Sequence, residues 1–180
     1  GLTMFDSFWL LGNFTGEYKS VCAITADMLE DIYDSYYSVS RDNFFGWYFT
    51  LEINNQINCG PLMGKMAKGL NTVLDRATEV DASLPMMISP YTAHYLDLGD
   101  VATYSQWLTF FERAEFRDGD IVAPQDAIGA DWIEEDDLVR VWEMYSKASE
   151  RADADIKLWA NCENFDIATG PSILGGTILR

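Results

Sequence analysis

Histidine is nearly missing from this chain: His94 is the only one in 180 residues. A His-rich metal hydrolase is therefore not expected, and a Ser-His-Asp triad would have to be built on that one side chain. Cysteine is also scarce. Cys22, Cys59 and Cys162 make an odd count with no close pair, which argues against both a disulfide framework and a zinc site. Basic residues form the third deficit, with 12 Lys and Arg against 29 Asp and Glu, for a formal net charge of −17. Nucleic acids need their phosphates neutralised by Lys and Arg, so no nucleic-acid partner is expected, and anionic membrane surfaces are disfavoured for the same reason. Solubility alone accounts for such a charge, while neutral or cationic ligands, sugars among them, stay open. No Walker A loop and no GxGxxG follows a strand, so the sequence implies no nucleotide cofactor, and no metal either. No apolar run has membrane-spanning length, and no signal-peptide pattern is read at Gly1, so membrane insertion is not expected. Asn13-Phe14-Thr15 matches a glycosylation acceptor, a triplet common by chance.

What the chain does contain is apolar material, 48% hydrophobic and 14% aromatic, enough for a globular core. It is arranged in a fourfold pattern of apolar strand, polar tip and amphipathic helix. The strands read as 44–52, 84–91, 120–126 and 156–163, with starts about 35 to 40 residues apart, the spacing of parallel β/α units. A fifth strand is expected within Leu2–Leu11, followed by a long loop to about residue 24. Helices are expected from Thr25 to Ser40 (Met28, Leu29, Ile32, Tyr33, Tyr36 and Tyr37 inward), and from Pro61 (Leu62, Met66, Leu70, Val73 and Leu74 inward). Two more follow Asp100 (Tyr104, Trp107, Leu108 and Phe111 inward) and run from Glu134 to Ala152 (Leu138, Val141, Trp142 and Tyr145 inward). The expected fold is α/β, of the (β/α)8 TIM-barrel type. A full barrel typically takes about 250 residues, so 1–180 reads as a single domain, the C-terminal portion of a barrel with four to five units.

Three of the four strands end in a carboxylate. Parallel strands present their C-terminal ends on one rim, the rim where barrel enzymes do their chemistry, so Glu52, Asp126 and Glu163 are expected to converge there. Side chains alternate along a strand, which puts Tyr48, Thr50 and Glu52 on one face of the first and Trp159, Asn161 and Glu163 on one face of the last. An indole suits the apolar side of a sugar ring, and amides and carboxylates suit its hydroxyls. Ser89-Pro90-Tyr91 and Gln125-Asp126 occupy the intervening tips, and His94 lies just beyond one of them. Two carboxylates across a cleft suit glycoside hydrolysis, in which one protonates the leaving oxygen and the other attacks or directs water. Plainer readings remain: Glu52 as a loop cap, Asp126 as a turn residue and Glu163 as a solvated carboxylate.

The successive tips Gly46-Trp47-Tyr48-Phe49-Thr50-Leu51-Glu52, Met87-Ile88-Ser89-Pro90-Tyr91, Ile121-Val122-Ala123-Pro124-Gln125-Asp126-Ala127-Ile128-Gly129 and Leu158-Trp159-Ala160-Asn161-Cys162-Glu163-Asn164-Phe165 resemble a family of bacterial barrel proteins of unknown function. That family is similar to glycoside hydrolases and is often exported by carbohydrate-degrading bacteria. The resemblance spans roughly residues 40 to 170 and implies that these strands are the fourth to seventh of a barrel. A glutamate ending each of those two strands also resembles the clan of retaining barrel glycosidases. On that likeness Glu52 is the proton donor and Glu163 the nucleophile, while Asp126, Gln125, Tyr91 and Trp159, with Tyr48 and Asn161, bind substrate. Where that clan has Asn before its acid/base, this chain has Leu51. The rival expectations are a non-catalytic carbohydrate-binding barrel, and a fragment that self-associates through its missing strands.

Overall fold

A computed structural model of the chain describes residues 14–55, 62–92, 99–130, 132–164, 166–168 and 177–179. The strand expected within Leu2–Leu11 lies outside the described residues, as do His94, Cys59, Pro61 and Gly175-Gly176.

The first helix, α1 (Phe14–Ile32), starts well before Thr25 and replaces the loop expected there. Tyr18, Val21, Cys22, Ala26 and Leu29 are buried along it at helical spacing, a pattern running through the segment read as loop. The helix continues into a π-helical turn over Tyr33–Tyr37. That wider turn rotates the face presented to the core. Tyr33 and Tyr37 stack on each other at 4.4 Å, whereas Tyr36, expected inward, is left 60% exposed.

Helix α2 (Met63–Asp81) buries Met63, Met66, Ala67, Leu70, Val73, Leu74 and Ala77 against α1 and the sheet. Gly69 lets the two helices close in: a Cβ there would sit 2.3 Å from a Tyr18 ring carbon. Tyr18 donates its hydroxyl proton to the Met66 carbonyl at 3.0 Å. Burial pushes the neighbouring Cys22 thiol up to about 12, so it packs as a small apolar side chain. Helix α3 (Gly99–Phe111) buries Trp107, Phe110 and Phe111, and α4 (Leu138–Arg151) buries Val141, Met144, Tyr145 and Ala148. Tyr104, Leu108, Leu138 and Trp142 are only half-buried at the margins of those faces.

Between the helices lie β1 (Trp47–Phe49), β2 (Met86–Ile88), β3 (Ile121–Val122) and β4 (Lys157–Leu158), parallel and in sheet order β1-β2-β3-β4. The ladders are shorter than the apolar runs, because Pro90 and Pro124 bring no N–H to them. Pairing resumes at the tips as single bridges, Asn54 with Tyr91 and Gln125 with Asn161. Phe49 pairs with Ile88 and Asn54 with Tyr91, so β1 carries extra residues beside Glu52, as in a bulge. An antiparallel pair, β5 (Asp166–Ala168) and β6 (Thr177–Leu179), was not expected.

The helices pack on one another in chain order, α1 on α2, α2 on α3 and α3 on α4, and right-handed crossovers between sequential parallel strands set α2, α3 and α4 on the same face of the sheet. Trp47, Phe49, Met86, Ile88 and Val122 are buried in one row, and Ile121 is buried in the other. Tyr48 stands in the opposite row with Met87, Ile121 and Lys157. Phe45, just ahead of β1, and Trp159, just after β4, stack at 6.4 Å and 29°.

The strand entrances are held by one carboxylate. Asp120 is fully buried; its Oδ1 accepts from the Met86 N–H at 2.7 Å and from Arg117 Nη2 at 2.9 Å. Its Oδ2 accepts from the Arg117 N–H at 2.9 Å and Nε at 3.2 Å, and its carbonyl accepts the Lys157 N–H at 2.8 Å. One residue thus ties β2, β3 and β4 together, and Arg117 Nη2 adds a bond to the Leu84 carbonyl at 3.1 Å. Removing one partner of a buried pair strands the other charge, at a cost of about 3–5 kcal/mol. Asp120→Ala should therefore lower the urea midpoint by the corresponding amount. A midpoint within error of wild type would show that the pairing contributes little.

Candidate functional site

The rim at the strand ends collects the carboxylates singled out in the sequence. Alternation along β1 runs as expected: Trp47, Phe49, Leu51 and Ile53 are buried, and Tyr48, Thr50 and Glu52 are exposed. Asn54 fixes the end of the strand, donating its Nδ2 proton to the Glu52 carbonyl at 3.1 Å, and Asn55 bonds to Gln106 of α3 at 3.2 Å. The Glu52 side chain then leans across the rim. Its Oε1 accepts from Gln125 Nε2 at 3.2 Å, and the same amide nitrogen reaches the Ser89 carbonyl at 3.1 Å. Ser89 Oγ donates to the Ala123 carbonyl at 3.0 Å and accepts from Asn161 Nδ2 at 2.7 Å. Residues from all four strand tips are therefore joined in one hydrogen-bonded chain, Glu52–Gln125–Ser89–Asn161.

A second group sits beside the first. The turn after β3 passes through Ala127, whose φ of 54° is a left-handed conformation uncommon outside glycine. That turn aims backbone N–H groups at the tip beyond β4, where Glu163 Oε2 accepts from the Ala130 N–H at 2.9 Å. Asp126 bridges the two segments: Oδ1 accepts the Ile128 N–H at 3.2 Å and Oδ2 accepts the Glu163 N–H at 3.2 Å.

The half-buried Glu163 carboxyl is raised above the ordinary glutamate value. Burial is the main cause, the negative charges of Asp126 and Glu52 add to it, and the N–H groups of Ala130 and Gly129 oppose it.

Of the residues singled out in the sequence, Glu52, Gln125, Asp126, Asn161 and Glu163 meet on this rim. The amide nitrogens of Gln125 and Asn161 are engaged by protein neighbours. Trp159 and Tyr48 lie on the same side of the sheet but nearer its middle, 46% and 50% exposed. Tyr91 is half-buried, its ring edge-on to Trp132 at 5.7 Å and its N–H bonded to the Ile53 carbonyl at 3.0 Å. Phe45, 69% exposed and stacked on Trp159, was not singled out; its only sequence signal is an aromatic just ahead of a strand. The Ala130 and Gly129 N–H groups left no signal beyond a glycine in a turn.

Among the described residues no group of three or more His, Cys, Asp or Glu is placed to hold a metal ion. A groove of about 360 Å³ lies between α1 and β1, lined by Val21, Ile24, Met28, Trp47 and Tyr48. Nothing ionisable at ordinary pH lines it.

Compared with known families, the chain matches the domain of unknown function DUF4434 over residues 1–175, and it belongs to that family. No curated protein and no solved structure matches it.

The direction of the Glu163 shift fixes how stability responds to pH. Below the ordinary glutamate range the carboxyl is neutral in folded and unfolded chains alike. As pH rises through the raised folded value, ionising it costs the folded state more than the unfolded one. Glu163→Gln, neutral throughout and still able to accept from Ala130, should therefore melt higher than wild type near neutral pH. The advantage should vanish below the glutamate range. An equal gap at both pH values, measured by calorimetry, would contradict the assignment.

Proposed function

We propose that this member of the DUF4434 family is a glycoside hydrolase working by a two-carboxylate retaining mechanism, with Glu52 and Glu163 as the catalytic pair. Its four-stranded sheet is, on this reading, an arc of a (β/α)8 barrel. A parallel sheet is stable when both faces are covered. Here the helices cover one face, and the sequential strand order suits a sheet that curls so that its other face becomes a barrel interior.

The observation that carries the reading is the hydrogen-bonded chain that crosses the rim from Glu52 through Gln125 and Ser89 to Asn161, two residues before Glu163, so that both glutamates stand on one rim. Glycoside hydrolysis needs such a pair. One carboxyl gives a proton to the leaving oxygen while the other, ionised, attacks the anomeric carbon; water then releases the glycosyl-enzyme with the first group acting as base. The rest of the rim suits a sugar. Trp159, Phe45 and Tyr48 offer exposed aromatic surface on the same side of the sheet for the C–H face of a pyranose, and the Gln125–Ser89–Asn161 chain fixes the polar edge. The acidic surface suits a neutral substrate better than an anionic one.

One observation favours a second reading, a non-catalytic carbohydrate-binding barrel. Glu163 is tethered to the β3 turn by backbone N–H groups, as a purely structural carboxylate would be. The two readings separate on a panel of aryl glycosides. Glu52→Gln and Glu163→Gln should each lower kcat by at least about a hundredfold, the usual contribution of a positioned acid or base, while circular dichroism stays native. Full turnover in either variant would remove that residue from the pair. Sugar binding that survives both changes, with no hydrolysis by wild type, would establish the binding reading.

A further inference from the structure

Behind the rim, at the tip beyond β2, the Thr92 side chain is fully buried between two helices. Its Oγ1 accepts the indole N–H of Trp107, on α3, at 3.0 Å and donates its own proton to the Tyr145 hydroxyl, on α4, at 3.0 Å. Both rings are fully buried and lie 4.7 Å apart, tilted at 45°. An indole only donates, so the group facing it must accept, while a hydroxyl accepts and donates at once. Valine has nearly the shape of threonine and makes neither bond.

The three residues before Thr92 carry the middle of the rim. Tyr91 gives its N–H to the carbonyl of Ile53, the neighbour of Glu52, at 3.0 Å. The Pro90 carbonyl accepts the Gln125 N–H at 2.8 Å, and the Ser89 carbonyl accepts the Gln125 side-chain amide at 3.1 Å. This short stretch therefore meets the tip beyond β1 on one side and the tip beyond β3 on the other. The β1 tip has its own hold on the same turn of α3. Asn55, fully buried, donates to Gln106, the residue before Trp107, at 3.2 Å. Two successive residues of α3 thus grip two successive strand tips. The 3.2 Å bond from Gln125 to Glu52 passes across the β2 tip, so it forms only when those tips are correctly spaced.

We propose that Thr92 is a positioning residue of the rim: by holding the β2 tip against α3 and α4, its hydroxyl sets the Glu52 carboxyl where Gln125 and a substrate meet it. Thr92 itself touches no reacting atom. Its effect on turnover rests on the glycosidase reading, and its effect on Gln125 rests on the hydrogen bonds alone. Without the hydroxyl, a buried indole N–H has no acceptor, and the tip must shift to relieve it. A close-packed interior passes such a shift on to the neighbouring tips.

NMR of 15N-labelled protein tests this without a substrate. Gln125→Glu identifies the Gln125 side-chain amide by its loss, and Glu52→Ala gives the position of that amide when Glu52 no longer accepts from it. In Thr92→Val the Gln125 amide should move toward its Glu52→Ala position. In Thr92→Ser, which keeps the hydroxyl, it should stay at the wild-type position. A threonine that only stabilised the core would lower the melting temperature and leave the amide in place; that result, in folded Thr92→Val, overturns the proposal. So does Thr92→Ser shifted as far as Thr92→Val, because the hydroxyl is then not the cause. Should Thr92→Val fail to fold, Tyr145→Phe removes one of the two bonds and is read in the same way. On an aryl glycoside that the wild type hydrolyses, Thr92→Val should lower kcat by up to about a hundredfold, the cost of misplacing a reacting group by about 1 Å, with KM little changed. An unchanged kcat overturns the role in turnover. If the wild type hydrolyses no glycoside, the glycosidase reading falls, and the Gln125 amide alone decides whether Thr92 positions the rim.

Discussion

The geometry of the rim depends on how the strands are anchored at the other end, and there one carboxylate dominates. Asp120 is buried and takes four N–H bonds, one from Met86 at the start of β2 and three from Arg117, while its carbonyl takes the Lys157 N–H of β4. Side chains in a strand have a period of two, so a slip of one residue between neighbours would turn every rim side chain to the wrong face. Apolar pairing alone discriminates weakly between registers along ladders of two or three residues. A buried carboxylate that must meet a particular backbone N–H discriminates strongly, because any slip leaves the charge unpaired. The positions of Gln125, Asn161 and Glu163 are thus set a full strand length away from where they act.

At the rim itself the strands are tied by side chains and tip bridges. Pro90 and Pro124 cannot donate to the ladder, but their carbonyls still accept, from Gln125 at 2.8 Å and from Asn161 at 3.0 Å. Bonding passes from a regular ladder to a network of amides, hydroxyls and carboxylates. That exchange leaves polar groups where a regular sheet would have only backbone. It also gathers the Glu52, Asp126 and Glu163 side chains on one rim, each held by hydrogen bonds from a neighbouring strand tip or turn.

Much of this was legible in the sequence. The repeat of apolar run and amphipathic helix gave the parallel order, and the two-residue alternation from Trp47 to Ile53 gave the face of Glu52. What was hidden depends on contacts far apart in sequence or on backbone shape. Asp120 reads as an ordinary strand-start aspartate until Met86, 34 residues earlier, is brought beside it. The early start of α1 was obscured by glycines and aromatics around a helical pattern, and the π-helical turn moved Tyr36 outward by changing the residues per turn. The left-handed Ala127 carries no sequence mark, so the N–H groups aimed at Glu163 could not be foreseen. Gln125 and Asn161 were expected to bind substrate; that each also donates to a neighbouring strand tip, tying the rim together, could not be read from the sequence.

The central claim is that Glu52 and Glu163 act as a close pair on a glycosidic bond, and the anomeric configuration of the first sugar released tests it most directly. Proton NMR of a hydrolysis followed from its first minutes distinguishes the two anomers before they interconvert. Carboxyls about 5 to 5.5 Å apart work through a glycosyl-enzyme and return the starting configuration. The account predicts retention. An inverted first product would place a water between the two groups and contradict it.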